Sequence, residues 1–280
     1  MDHYCVLGNP VQHSKSPGIH ARFAELTGQP VAYSKQLVPL DGFASAVQHW
    51  MASGGRGCNV TVPFKFEAFQ IANSATERAQ LAQAANTLKL KGKYIEADNT
   101  DGVGLVNDIQ VNAGISLAGR DLLLIGAGGA AAAVLGPLLA AGPRRLVVAN
   151  RTPDKAAALV AQHAAHPVIQ VLLQKTELLA SDLQGLDANF DVIINATASS
   201  LGGGTIPVPA SVLKPGSLAY DMMYGPAAKD FADWALAHGA LPRDGLGMLV
   251  EQAAESFWFW RGVRPPAAQV LQELRKALSS

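Results

Sequence analysis

Short apolar runs alternate with amphipathic stretches along this chain, and turn residues separate them, a rhythm that predicts repeated strand and helix units. Residues 4–7 form an apolar run of strand length. Ser16-Pro17 then reads as an N-cap followed by a proline at the first helical position, with Ile19, Phe23 and Leu26 on one helical face and Gly28 closing it. A second strand is predicted over 31–37, a second helix over 43–51, and a third strand over 58–62 that stops at Pro63. Runs 87–90 and 94–97, split by Lys91-Gly92-Lys93, predict a hairpin. A helical pattern over 101–113 leads to Gly114 and Gly119, after which strands are predicted at 121–125, 145–149, 169–173, 192–195 and 218–221 with helical stretches between them. Helices over 249–260 and 267–278 end the chain.

This alternation predicts an α/β protein of two domains. The first, 1–104, is expected to be an α/β sandwich on a mixed, mostly parallel sheet, with the C-terminal helices of 246–280 packing back on it. The second, 105–245, is expected to be Rossmann-like, a layout that would put substrate in a cleft between halves able to close on ligands. Counts of 22 basic and 22 acidic residues argue against a nucleic-acid or membrane-surface partner. Cys5 and Cys58, the chain's two cysteines, lie in strand-like surroundings, which predicts no disulfide framework. With no signal-peptide pattern in Met1-Asp2-His3-Tyr4, a cytoplasmic location is expected. Residues 122–142 carry no charge, but their glycines and Pro137 favour a buried strand plus an alanine-rich helix over a membrane span.

The stretch Leu122-Leu123-Leu124-Ile125-Gly126-Ala127-Gly128-Gly129-Ala130-Ala131 carries the clearest chemistry: a buried strand turning through glycines into a helix. Gly126 permits the turn, Gly128 lets backbone approach a pyrophosphate, and Ala131 takes the small-residue place where helix meets strand. Amides at the helix start are left to meet phosphates. The next predicted strand ends in Asn150-Arg151-Thr152, where NAD-preferring sites place Asp or Glu. A carboxylate there would oppose a ribose 2′-phosphate, since like charges about 4 Å apart cost roughly 4 kcal/mol at an effective dielectric near 20. Arg151, with Lys155 one turn on, instead predicts NADP as the cofactor, and no metal is expected.

Polar residues gather at the ends of the first domain's strands: Gly8-Asn9-Pro10-Val11-Gln12-His13-Ser14-Lys15-Ser16-Pro17, Asn59-Val60-Thr61-Val62-Pro63-Phe64-Lys65, Asn86-Thr87, and Asp98-Asn99-Thr100-Asp101-Gly102. With the glycine loop, Asn150-Arg151-Thr152, Tyr220-Asp221-Met222-Met223-Tyr224 and the run from Asp244-Gly245 through Gln252-Ala253-Ala254, they cover nearly the whole chain in an order that resembles the shikimate dehydrogenase family.

The resemblance implies NADPH-dependent, reversible reduction of 3-dehydroshikimate to shikimate, with a small molecule as the partner and a monomer or homodimer as the assembly. It implies that Ser14 and Ser16 hold the substrate carboxylate, that Thr61, Asn86 and Asp101 bind ring hydroxyls, and that Tyr224 and Gln252 add contacts. Two hydroxyl donors to a charged acceptor are worth about 1.5 to 3 kcal/mol each, enough to replace an arginine. Lys65 matches the catalytic lysine with Asp101 as its partner, and a neighbouring carboxylate favours an ammonium, which suits proton donation to a developing alkoxide. Met222 and Gly245 match residues near the nicotinamide, Glu77 a position sometimes assigned to the cofactor, and Asn195-Ala196-Thr197 is expected to line the cofactor's crevice. Ala198-Ser199-Ser200-Leu201-Gly202-Gly203-Gly204 departs from the family's usual wording. The rivals are a quinate/shikimate dehydrogenase of broader specificity and a non-catalytic NADP sensor. Ser16 with Thr61 and Asn150-Arg151-Thr152 oppose the first, and Lys65 with Asp101 opposes the second.

Overall fold

A computed structural model describes residues 1–186, 188–197 and 206–279. The chain divides into two compact units, Met1–Gly104 with Leu249–Ser280, and Leu105–Met248.

The first unit is built on a six-stranded sheet of order β2-β1-β3-β5-β6-β4, comprising β1 (Asp2–Gly8), β2 (Val31–Leu37), β3 (Gly55–Val60), β4 (Ser74–Ala75), β5 (Thr87–Lys91) and β6 (Tyr94–Asp98). β1 runs parallel to β2 and β3, and β4 parallel to β6, whereas β5 is antiparallel to β3 and β6, so the sheet is mixed. The alternation along β1 sends side chains to two buried layers. Cys5 and Leu7 join Phe43, Val47 and Phe64, while Tyr4 stacks on Trp260 at 4.6 Å. Helices α1 (Ser16–Thr27), α2 (Phe43–Ala52), α3 (Lys65–Gln70) and α4 (Glu77–Ala82) link the strands. α1 ends at Gly28 with φ +64°, a left-handed cap in which Gln29 N donates to Ala24 O at 3.0 Å.

Its start differs from the expected one. Lys15 occupies the cap without a side-chain bond, Ser16 is already helical, and the Ser14 hydroxyl accepts from Ser16 N at 3.3 Å. The turn closed by Ser14 N on Val11 O brings that earlier hydroxyl to the helix entrance, so Ser16 does not act as the N-cap.

The second unit holds an all-parallel sheet of order β12-β11-β10-β7-β8-β9: β7 (Asp121–Ile125), β8 (Arg145–Ala149), β9 (Glu177–Ser181), β10 (Val192–Asn195), β11 (Leu218–Asp221) and β12 (Leu241–Arg243). This is the doubly wound Rossmann order, in which the order of strand addition reverses between β7 and β10. α5 (Asp101–Asn107) brings the chain into the unit and continues as a π-helical turn, Asp108–Asn112, where a single helical stretch over 101–113 was expected. α6 (Gly129–Ala140), α7 (Pro153–Ala164), α8 (Pro167–Leu172) and α9 (Lys229–Ala237) follow, and α10 (Leu246–Arg261) carries the chain back to the first unit, where α11 (Ala267–Ser279) ends it.

The strand predicted over 169–173 is not one: those residues lie at the end of α8, and the third strand in chain order is β9. Pro167 at the head of α8 presets the helical φ, and edge strand β9 buries too little of Glu177-Leu178-Leu179-Ala180-Ser181 to announce itself by periodicity. Among the described residues no helix is long and apolar enough to cross a membrane; the uncharged 122–142 run is β7 followed by the twelve-residue α6. Cys5 and Cys58 are buried free thiols, paired in register on β1 and β3.

Candidate active site

In the first unit the polar clusters come together at the ends of the parallel strands β1 and β3. Thr61 N donates to Leu7 O at 2.9 Å and Asn9 N to Val62 O at 3.0 Å, tying the loop that leads to Ser14 and Ser16 to the loop that carries Thr61 and Lys65. A Cβ at Gly8 would collide with the Thr61 side chain, so glycine is what permits this approach. Lys65 opens α3, and its carbonyl accepts from Ala85 N at 2.8 Å, which brings the Asn86 turn alongside. Lys65 Nζ stands 2.6 Å from Asp101 Oδ2, with the carboxylate nearly buried and the lysine partly accessible.

Asp101 is held from its other side as well. Asn86 Nδ2 donates to Asp101 Oδ1 at 2.7 Å, and Thr100 N donates to Asn86 Oδ1 at 2.9 Å, which fixes the amide's orientation through an unambiguous backbone donor. Gln252 on α10 offers Oε1 to Asn86 Nδ2 at 3.3 Å and donates Nε2 to Leu249 O at 2.8 Å. Beneath them, Thr87 Oγ1 donates to Asn86 Oδ1 at 2.9 Å and accepts from Asn59 Nδ2 at 3.0 Å, and Tyr33 OH donates to Asn59 Oδ1 at 2.8 Å. Lys65, Asn86, Asp101 and Gln252 therefore form one connected constellation, while Thr61 and the loop of Ser14 and Ser16 are linked to each other's strand ends by backbone bonds alone.

Sequence reasoning missed a second, supporting network. Arg78 grips Asp98 with Nε at 2.7 Å and Nη2 at 2.5 Å and reaches Glu255 Oε1 at 3.0 Å; Arg264 Nη2 takes Glu255 Oε2 at 2.6 Å. Thr76 Oγ1 and Asn99 N also donate to Asp98, so the turn that ends in Asp101 starts from a saturated, fully buried carboxylate. Glu255 just ahead of the apolar run Phe257-Trp258-Phe259-Trp260 was the available signal, because a charge buried beside such a run needs a partner. Glu77, next to Arg78, is exposed at the head of α4 in the first unit, and no glycine-loop residue lies in that unit.

In the second unit Gly126 has φ +114°, and a Cβ there would stand 3.2 Å from Ala196 O, so the turn between β7 and α6 demands glycine. A Cβ at Gly128 would meet nothing within 4 Å, which leaves that side of the loop open. Ala132 N is bonded to Gly128 O at 3.0 Å, and the first-turn amides of Gly129, Ala130 and Ala131 have no intrahelical acceptor. Asn195 at the end of β10 accepts from Thr197 N at 3.1 Å and Oγ1 at 2.7 Å. Gly126 and Asn195 thus flank the sheet's reversal point, the ligand crevice of such folds. At the end of β8, Asn150 Nδ2 turns to Thr152 O at 2.9 Å, while Arg151, Thr152 and Lys155 are exposed. These residues fit a phosphorylated dinucleotide: open glycines and helix amides for the pyrophosphate, two solvent-facing cations for a further phosphate. Met222, Tyr224 and Gly245 follow β11 and β12; Tyr224 is half-buried, and burial pushes its phenol up. The run Ala198-Ser199-Ser200-Leu201-Gly202-Gly203-Gly204 lies outside the described residues. Among the described residues no group of His, Cys, Asp and Glu is placed to hold a metal ion.

A chain with this reversal-point glycine loop and this paired lysine and aspartate has the build of a dinucleotide-dependent oxidoreductase. Family comparisons narrow the class. Residues 6–88 match the shikimate dehydrogenase substrate binding domain, 109–202 match shikimate / quinate 5-dehydrogenase, and 245–275 match the shikimate 5'-dehydrogenase C-terminal domain. The chain belongs to the shikimate dehydrogenase family. It is 68% identical over 279 residues to the shikimate dehydrogenase (NADP(+)) of Acidovorax sp. (strain JS42), covering 100% of this chain and 98% of that relative. Among solved structures it is similar to an Ael1 enzyme from Pseudomonas putida, with 43% identity, TM-score 0.89 and 98% of each chain covered. It is also similar to the shikimate 5-dehydrogenase of Thermus thermophilus in complex with NADP(H) and shikimate, with 30% identity, TM-score 0.85, and 99% and 100% covered.

Proposed function

We propose that this chain interconverts shikimate and 3-dehydroshikimate with NADP, using Lys65 and Asp101 as its proton-transfer pair. The observation that carries the reading is the 2.6 Å contact of Lys65 Nζ with a carboxylate that Asn86 holds from its other side. Bound NADP supplies hydride chemistry at its nicotinamide. Lys65 faces the substrate's reacting oxygen: in the reducing direction it hands over an ammonium proton as the alkoxide forms, help worth about 10² to 10⁴ in rate. In the oxidising direction the same side chain takes up the proton of the substrate hydroxyl. Asp101 keeps the nitrogen aimed and, with Asn86 and Thr61, reads ring hydroxyls. Ser14 and Ser16 hold the carboxylate, and Tyr224 and Gln252 add further contacts. The glycine loop from Gly126 to Ala130 seats the pyrophosphate. Asn150, Arg151, Thr152 and Lys155 take the 2′-phosphate side, and Met222 and Gly245 flank the nicotinamide. Glu77 is kept as an outlying cofactor contact. The chain works in the cytoplasm on small molecules as a monomer or homodimer, with 1–104 plus 246–280 as the substrate domain and 105–245 as the NADP domain.

The test is the absorbance of reduced cofactor formed from shikimate or quinate, crossed with NADP or NAD. Turnover with shikimate and NADP is expected to dominate. Comparable rates with quinate or NAD would overturn the specificity, and silence in all four despite NADP binding would overturn the catalytic reading.

A further inference from the structure

The second unit contains a fully buried carboxylate that the proposed chemistry leaves unused. Asp108 opens the π-helical turn, and both of its oxygens are saturated. Arg243 donates Nε to Oδ2 at 2.8 Å and Nη2 to Oδ1 at 2.6 Å, Tyr220 OH donates to Oδ2 at 2.8 Å, and Asn112 Nδ2 donates to Oδ1 at 3.0 Å. A guanidinium engaged by two prongs is strong and directional, and π-helical turns are rare features that cluster at functional sites. A Cβ at Gly247 would land on this same carboxylate, so the glycine belongs to the construction.

What the carboxylate grips is the pair of segments that end β11 and β12. Tyr220 is followed by Asp221 and Met222, and Arg243 by Asp244 and Gly245. Gly245 N donates to Met223 O at 2.8 Å, and a Cβ at Gly245 would collide with the Met222 carbonyl. Asp221 braces the same turn by accepting from Met223 N at 2.8 Å and from Asn195 Nδ2 at 3.2 Å. The two turns are thus locked to each other and, through Tyr220 and Arg243, to Asp108.

We propose that Asp108, with Arg243 and Tyr220, is a positioning centre that sets where Met222 and Gly245 stand, and with them the seat of the nicotinamide ring. The proposal rests on the reading above that these two residues flank that ring. None of the three clamp residues is a catalytic residue; they act through the turns they hold.

The experiment compares Asp108→Asn with the milder Tyr220→Phe, which removes one donor and keeps the guanidinium pair. It uses the full chain and three readouts: shikimate oxidation, NADP affinity, and affinity for 2′,5′-ADP, the half of NADP that lacks the nicotinamide. Tyr220→Phe is expected to lower kcat about tenfold, the scale of a sub-ångström misplacement of reacting groups, with KM for shikimate and 2′,5′-ADP affinity unchanged. Asp108→Asn should show the same split more strongly. Unchanged kcat and NADP affinity in Tyr220→Phe, or 2′,5′-ADP affinity falling in step with that for NADP, would overturn the proposal and leave a merely structural clamp. Absence of turnover in the wild-type chain would strike the functional reading instead, and the ratio of NADP to 2′,5′-ADP affinity would still decide the clamp.

Discussion

His20 has no solvent-exposed surface: it stacks on Tyr33 at 4.3 Å with rings 4° apart, meets Phe23 edge-on and lies 5.4 Å from Trp260. Burial, with neither ring nitrogen hydrogen-bonded among the described residues, pushes its pKa down from 6.5 to about 3. Because the folded value is depressed, the unfolded chain takes up a proton below pH 6.5 that the folded chain refuses until about pH 3. The contribution is complete above pH 6.5 and is lost through that window at about 1.4 kcal/mol per pH unit. Urea unfolding at pH 7.5 and pH 5 should therefore show the wild type losing about 2 kcal/mol more than His20→Phe does. An equal loss in both proteins would contradict the assignment. In the sequence, His20 beside Ile19 on an apolar helix face gave no hint of the ring stack, because its partners Tyr33 and Trp260 come from a strand and a helix distant in the chain.

At the scale of elements, the β7-turn-α6 unit was legible because its conformation is a local demand: φ of +114° at Gly126 leaves few residues to choose from. Gly126→Ala should lose about 1 to 3 kcal/mol of stability through backbone strain. It should also weaken NADP at least tenfold, equivalent to about 1.4 kcal/mol of binding. Thermal unfolding with a fluorescence titration of NADP checks both, and wild-type affinity in the variant would refute the loop's role. The third strand of the second unit was not legible. Edge position leaves β9 half-covered, whereas Val168, Ile169, Val171 and Leu172 make a more apolar run on α8 that periodicity alone mistakes for a strand. The π-helical turn was equally hidden, because the residues over 101–113 satisfy a plain helical pattern and only the backbone bond from Ala113 N to Asp108 O at 2.9 Å, five residues apart, reveals the altered winding.

At the scale of the whole molecule, the candidate site is an assembly of remote positions. Asn86 reaches Gln252 across 166 residues, and Arg78 reaches Glu255 across 177, separations that no periodicity encodes. The residue types were visible in the sequence as polar clusters at strand ends, but their roles came from family resemblance, and the pairing of Lys65 with Asp101 acquired a distance only in the fold. The buried ion networks behind the site escaped sequence reading because each needs a partner from another element. The central claim is that Lys65 moves the proton, and the most direct measurement is the steady-state kinetics of Lys65→Ala with shikimate and NADP. The account predicts a kcat lower by about 10² to 10⁴ with KM for shikimate held within several-fold, whereas a variant that keeps near-wild-type kcat would contradict it.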